Sequence, residues 1–348
     1  MLYLNGVLAH IKNLGKMDTE KQVARLIQEA YDKLKAFNAE SEVSAEAQSA
    51  DVLNGAAALL EEAITIDFDN EETKHALKSV QWWIVRISGI EEIRNPYEKG
   101  EFILSRLRLY YSFLDTLPSY YDLCQYVIRR FVFSCALRCF CDLLGDGVNQ
   151  HDPGLLLLVG RCYKGVGIYD EAFRYIEQAA RFRRDDGETL AELADVNALL
   201  GENEKAKALF REAFFLNPER VDLRMMESEM ILRLRDELLR EKKGLGDDEL
   251  REWIPVYGKL WGVFSVIREL KPIEFGRLRQ SIFAMETECR GNPSRALALK
   301  PRLINRYFWL IDYYDIKKED SYLREEVLLK IKVTDSDIYD RYVGITRS

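Results

Sequence analysis

The chain has 348 residues, 47% hydrophobic, 31% charged and 11% aromatic, a composition that builds two or three packed units and excludes collagen-like, mucin-like and largely disordered classes. Fifty Lys and Arg against 58 Asp and Glu leave a net charge of −8, which disfavours a dedicated nucleic-acid binder needing phosphate-neutralising surface. Only 8 prolines leave long stretches without a helix breaker.

The segment from Met1 to Gly15 has no basic stretch ahead of a continuous apolar core, so no signal peptide is expected. The longest apolar runs, Phe131 to Leu137 and Leu155 to Gly160, fall far short of the roughly 20 residues of a membrane span. Cys124, Cys135, Cys139, Cys141, Cys162 and Cys289 are too sparse for a secreted disulfide framework and point to a reducing compartment. The expected location is the cytoplasm, peripheral at most to a membrane-bound assembly.

Val23, Ile27, Tyr31 and Leu34 recur at helical spacing and predict a helix from about Thr19, where Thr19 and Gln22 read as a capping box. Residues 38–50 turn to Ser, Glu and Ala without apolar rhythm and predict a mobile loop; the helix after it holds Ala56, Leu60 and Ala63. A helical pattern from Glu71 to Glu92 carries Trp82 and Trp83 and closes at Asn95-Pro96. Helices of about 101–117 and 119–144 follow, the second given a polar face by Arg129, Arg130, Arg138 and Asp142 and ended by Gly145-Asp146-Gly147.

The segments Pro153 to Asp186 and Gly187 to Arg220 align without a gap at a period of 34 residues. Leu156 matches Leu190, Gly167 matches Gly201, Ala172 matches Ala206 and Ala179 matches Ala213, with Ile176 facing Phe210. Glycine permits a left-handed turn between helices, and small residues let paired helices approach. Asp152 before Pro153 reads as a helix N-cap, and Asn217-Pro218 closes the second unit. The frame fails on either side: it puts Arg138 and Gly145 at alanine positions upstream, and Arg240 downstream.

These two units resemble the tetratricopeptide repeat family, whose pattern is met by Leu156, Val159-Gly160, Tyr163, Gly167, Tyr169, Ala172, Ile176 and Ala179, and again by Leu190, Leu193-Ala194, Gly201, Ala206, Phe210, Ala213 and Pro218. Asn197 stands where Tyr is usual, and Arg184 where the first unit should have Pro. The resemblance implies an all-α, right-handed α-α superhelix of helical hairpins, with about fifteen helices and three regions: 1–150, degenerate and repeat-like, with Ala56, Leu60 and Ala63 in a second-helix position; 151–220, the two clear units; and 221–348, helical pairs that cover the repeat ends. It also implies a partner-binding groove formed by the first helix of each unit, here Leu157, Arg161 and Lys164, then Glu188, Ala191, Asp195, Ala198 and Leu199. The carboxylate clamp of the family's chaperone-binding members is not expected, because Leu157 and Arg161 occupy its first pair of positions and Glu192 replaces its next Asn.

Beyond the repeats, residues 223–240 predict a helix with Met226, Met230 and Leu234. Pro255, Pro272, Pro293 and Pro301 are expected to separate further helices, one of them carrying Tyr307, Phe308, Leu310, Ile311 and Tyr314. A last pair spans about 320–332 and 336–343.

Chemistry is sparse. His10, His75 and His151 adjoin no catalytic arrangement, and acidic pairs such as Asp185-Asp186, Asp247-Asp248 and Glu325-Glu326 read as turns or solvated faces. Cys135 and Cys139 share a helix face, but no CxxC pair exists and buried free cysteine behaves as a small hydrophobe. The paired glycines at 145/147, 165/167 and 244/246 precede no Gly-Lys-Ser/Thr and read as helix ends. Tyr110-Tyr111, Tyr120-Tyr121 and Trp82-Trp83 read chiefly as helix packing.

No catalytic residue, metal or cofactor is therefore expected. The sequence reads as a non-enzymatic scaffold or adaptor binding a protein or peptide segment, with no nucleic acid and no membrane span. Asn95-Pro-Tyr-Glu-Lys-Gly-Glu101 is similar to bacterial repeat proteins that assemble on the flagellar motor or cell envelope. The alternatives are a helical enzyme or small-ligand protein using a pocket between the repeat segment and the C-terminal helices, and a self-assembling structural protein.

Overall fold

The computed structural model describes residues 2–37, 45–145, 151–318 and 321–347. Among them lie fifteen α-helices and no strand. Contacts divide the chain into two units, Met1–Tyr175 and Ile176–Ser348.

The first unit holds α1 (Leu2–Lys35), α2 (Ala45–Ile66), α3 (Glu71–Ile87), α4 (Pro96–Leu114), α5 (Asp122–Gly145), α6 (Pro153–Val166) and the first half of α7 (Tyr169–Phe182). α1 continues through Thr19, so the predicted start there is corrected: no cap is needed inside an unbroken helix. The predicted loop at 38–50 is shorter, since α2 already begins at Ala45, and residues 38–44 lie outside the described set, as do 146 and 147 of the Gly-Asp-Gly stop. Ala56, Leu60 and Ala63 are each fully buried, and α2 packs on α1 and α3.

α5 is central to this unit, packing on α1, α2, α3, α4 and α6. Every residue from Phe131 to Phe140 is buried, so the polar-face reading is corrected at Arg138, while Arg129 and Arg130 are half-buried and Asp142 is exposed. Arg138 is drawn inside and gives a hydrogen bond to Gln48 at 2.9 Å. A stretch of helix covered on all sides is predominantly apolar all round. Close approach also removes side chains: a Cβ on Gly165 would lie 2.0 Å from the Phe133 ring, and one on Gly100 2.4 Å from Phe140. Trp82, Trp83 and Tyr110 form a buried aromatic cluster with centroids 5.1 to 5.4 Å apart, whereas Tyr120 is 63% exposed.

α6 starts as expected from Asp152, whose side chain accepts the amides of Gly154 and Leu155, with Pro153 in the first turn. It ends at Gly167, φ 92°, a left-handed conformation in which a side chain would be strained. Tyr163 then stacks on Tyr175 at 5.4 Å and 5°, joining α6 to α7.

The second unit contains the rest of α7, then α8 (Gly187–Leu199), α9 (Asn203–Leu216), α10 (Glu229–Glu241), α11 (Asp247–Leu260), α12 (Pro272–Gly291), α13 (Pro293–Lys317), α14 (Ser321–Thr334) and α15 (Ser336–Arg347). α8 and α9 form a hairpin turning at Gly201, φ 84°. Ala206 is fully buried, as are Ala194, Phe210 and Ala213, which belong to a core that continues through Tyr257, Phe264, Ile304, Phe308 and Ile331.

Two expectations for this region are corrected. The helix predicted from Leu223 begins only at Glu229, because the Arg224 amide turns back to the Asp222 carboxylate at 3.2 Å and the Glu227 and Ser228 amides are held by Asp195 at 2.9 Å. Pro255 and Pro301 lie inside α11 and α13 instead of separating helices, both buried, while Pro272 and Pro293 do open theirs.

Candidate functional site

The residues expected to form a partner groove lie largely in the interior. On α6, Leu157, Arg161 and Lys164 are 3%, 6% and 0% exposed; on α8, Ala191 and Asp195 are fully buried. Glu188, Ala198 and Leu199 are half-buried, and Glu188 accepts a hydrogen bond from Arg220 at 3.2 Å. Ala191 belongs to the apolar core with Phe214 and Val221. The Asp195 carboxylate is taken up by the chain's own amides ahead of α10. The physical reason is that the segment after the second repeat folds back onto α8, so this stretch of α8 faces protein instead of solvent.

An open groove of about 850 Å³ lies elsewhere in the second unit, where α10 faces the turn after α11. Met230, Leu234, Trp261 and Val263 supply its apolar surface. Trp261 packs edge-on against Tyr257 at 5.0 Å, and Gly262 makes the turn possible with φ 71°. Lys207, Arg233, Asp236, Glu237, Arg240 and Glu241 supply its polar surface. Met230, Arg233, Leu234, Glu237, Arg240 and Glu241 are spaced by threes and fours, one face of a helix. This periodicity was visible in the sequence, but not the turn that faces it.

The charges of the groove are paired within the protein. Arg233 bridges Glu229, Arg240 bridges Glu237 at 2.6 Å, Lys207 bridges Glu204 at 2.7 Å and Arg341 bridges Glu241. No histidine or cysteine lines it. The arrangement suits contact with an amphipathic surface: an apolar strip flanked by both signs of charge.

Other polar clusters are internal. Asp312 on α13 bridges Arg211 and accepts two hydrogen bonds from Lys259 at 2.9 and 3.0 Å, with Arg211 also donating to the Val266 carbonyl at 2.8 Å. Burial holds the Lys259 ammonium below its ordinary ionisation range. In the first unit Tyr110 donates to Gln125 at 2.8 Å, and the Gln125 amide nitrogen lies 2.6 Å from His75 Nε2. Burial lowers the His75 pKa and pushes the neighbouring Cys124 thiol up to about 12. Among the described residues, no three His, Cys, Asp or Glu side chains gather at a metal-binding spacing, and no helix is long and apolar enough to cross a membrane.

No family model, curated protein or solved structure matches the chain.

Proposed function

We propose that the protein is a non-enzymatic scaffold that binds an amphipathic segment of a protein partner in the groove between α10 and the turn at Trp261. The observation that carries this reading is the groove itself, with partly exposed Met230, Trp261 and Val263 over buried Leu234 and charges of both signs beside them. An exposed apolar strip gains free energy when covered, and a flanking set of mixed charges selects a mixed-charge partner.

The same proposal takes the chain as a divergent tetratricopeptide-type array in a superhelical arrangement. Support comes from the in-phase repeat, whose four helices span Pro153–Val166, Tyr169–Phe182, Gly187–Leu199 and Asn203–Leu216, and from the left-handed Gly167 and Gly201 at equivalent turns. Its place in the cytoplasm, beside a membrane-bound assembly such as a bacterial flagellar motor or envelope complex, rests on the sparse cysteines and on the Asn95–Glu101 similarity. Within the fold, that segment starts α4: Asn95 accepts the Tyr97 amide at 2.9 Å and Pro96 occupies the first turn.

A photo-crosslinking amino acid at Met230, introduced in the native host, tests the reading. The expected outcome is one discrete protein adduct, lost when Trp261→Ala and Val263→Asp are added. Labelling indistinguishable from that at exposed Arg277 on α12 would remove the groove as the binding face.

A second reading, self-association, is favoured by α14, where Tyr322, Leu329 and Val333 are 73%, 59% and 89% exposed along one helical stripe. Light-scattering mass that rises with concentration, and stops rising in Leu329→Lys, would support it.

A further inference from the structure

Three arginines lie over the Phe215–Trp309 ring pair of the second unit, Arg211 and Arg268 over Trp309 and Arg306 over Phe215, and Arg302 lies one turn before Arg306; all but Arg306 have acceptors within the fold. Arg211 holds Asp312 and the Val266 carbonyl. Arg268 spans Glu212 and Glu274, each at 2.9 Å. Arg302 spans Glu219 at 2.9 Å and Glu252 at 3.0 Å. Arg306, one turn beyond Arg302 on α13, has no hydrogen bond or ion pair among the described residues, and its Nε is sealed from solvent without an acceptor. Its guanidinium lies over the Phe215 ring, 4.2 Å from the centroid. Trp309, whose ring is 4.4 Å from Phe215, likewise has a buried Nε1–H without an acceptor.

This is an expensive place to leave a cation unpaired. Its Nε–H has lost hydration without gaining an acceptor, and neither carboxylate that acts on the group at a distance forms an ion pair with it. Burial and repulsion from Arg302 lower its pKa to about 10, and the two nearest carboxylates, Glu219 and Glu252, already serve Arg302. The chain has 58 acidic residues, and none of the described ones pairs with this position. Stacking on Phe215 also fixes the plane of the fork, which reduces the ordering cost of a bidentate contact.

We propose that Arg306, held on Phe215 beside Arg302, is an oxyanion-binding site that takes a carboxylate or phosphate group from outside the chain. The site uses none of the groove residues at α10 and stands independently of that reading.

Calorimetric titration of the full chain with inorganic phosphate and with a hexaglutamate peptide, each at ionic strength matched with chloride, tests it. Saturable binding of at least one probe is expected, abolished in Arg306→Gln and weakened about tenfold or more in Arg306→Lys, which keeps the charge but loses the fork. Arg25→Gln, at a side chain 70% exposed on α1, should bind as the parent does. Binding of phosphate alone identifies a phosphate-bearing ligand, and binding of hexaglutamate alone an acidic peptide; either supports the site. Absence of saturable binding over chloride, or binding that survives Arg306→Gln, overturns it. Should the glutamine variant fail to fold, the lysine variant decides: affinity equal to the parent's also overturns the proposal.

Discussion

Asp195 on α8 accepts the backbone amides of Glu227 and Ser228, both at 2.9 Å, across 32 and 33 residues of sequence. One carboxylate therefore anchors the start of α10, and with it one wall of the proposed groove. Asp195→Ala should cost about 2–4 kcal/mol in urea unfolding, since it orphans the buried Ser228 amide and the part-buried Glu227 amide. Amide exchange should rise first in the leading turn of α10. Asp195→Asn, which retains an acceptor, should lose less.

Asp312 compensates Arg211 and Lys259 together in the interior of the second unit. Asp312→Ala should destabilise by about 3–5 kcal/mol, because it leaves two buried cations without their carboxylate. Adding Lys259→Met to that variant should recover part of the loss. A double-mutant cycle in which the two losses simply add would show that the groups are not coupled.

Gly165 inverts the usual helix rule. In a helix interior, Gly→Ala ordinarily stabilises by about 0.5–1 kcal/mol, but here the new methyl would meet the fully buried Phe133 ring at 2.0 Å. Gly165→Ala should therefore destabilise by about 1–3 kcal/mol, and the double variant Gly165→Ala, Phe133→Leu should be the milder of the two.

Stability should fall at both ends of the pH scale. Burial holds the His75 pKa below its ordinary 6.5, so on acidification the unfolded chain takes up that proton first. The stability contributed by neutral His75 is complete above about pH 6.5 and is lost as pH falls through the folded value, at up to about 1.4 kcal/mol per pH unit. Tyr31, Tyr110 and Tyr307 are displaced the other way, upward by burial. Their contribution is complete below about pH 10 and declines above it as the unfolded chain ionises first. Urea unfolding between pH 5 and 11 should show both limbs, with the acid limb flattened in His75→Gln.

Thiol accessibility gives a last check. Cys124, Cys135, Cys139 and Cys162 are buried, whereas Cys141 and Cys289 are half-buried, and none of the six is in a disulfide. A thiol reagent should label at most Cys141 and Cys289 in the native protein and all six cysteines in denaturant, because protonated, enclosed thiols react slowly. Fast native labelling of Cys124 would contradict its burial.

Punctuation written within a few residues was legible. Asp152-Pro153, Gly167, Gly201 and Asn217-Pro218 mark helix starts and turns through their own side chains and φ preferences, so the helices of the two repeats fall where the sequence put them. Thr19, Pro255 and Pro301 carry the same local signals and were overridden, since the helices containing them continue through. The delayed start of α10 was illegible for another reason: Asp195, which holds it, lies a full repeat away.

The sequence by itself determined the helical class, the 34-residue phase and the turn glycines, because periodicity and backbone preference act over one or two helical turns. Tertiary structure alone decided which faces remain open. The α6 and α8 residues expected to meet a partner are mostly buried, and an open groove lies at α10 and Trp261. Tertiary structure also left Arg306 without the carboxylates that Arg302 holds. Burial and charge pairing depend on residues distant in the chain, and no local pattern encodes which of them will meet.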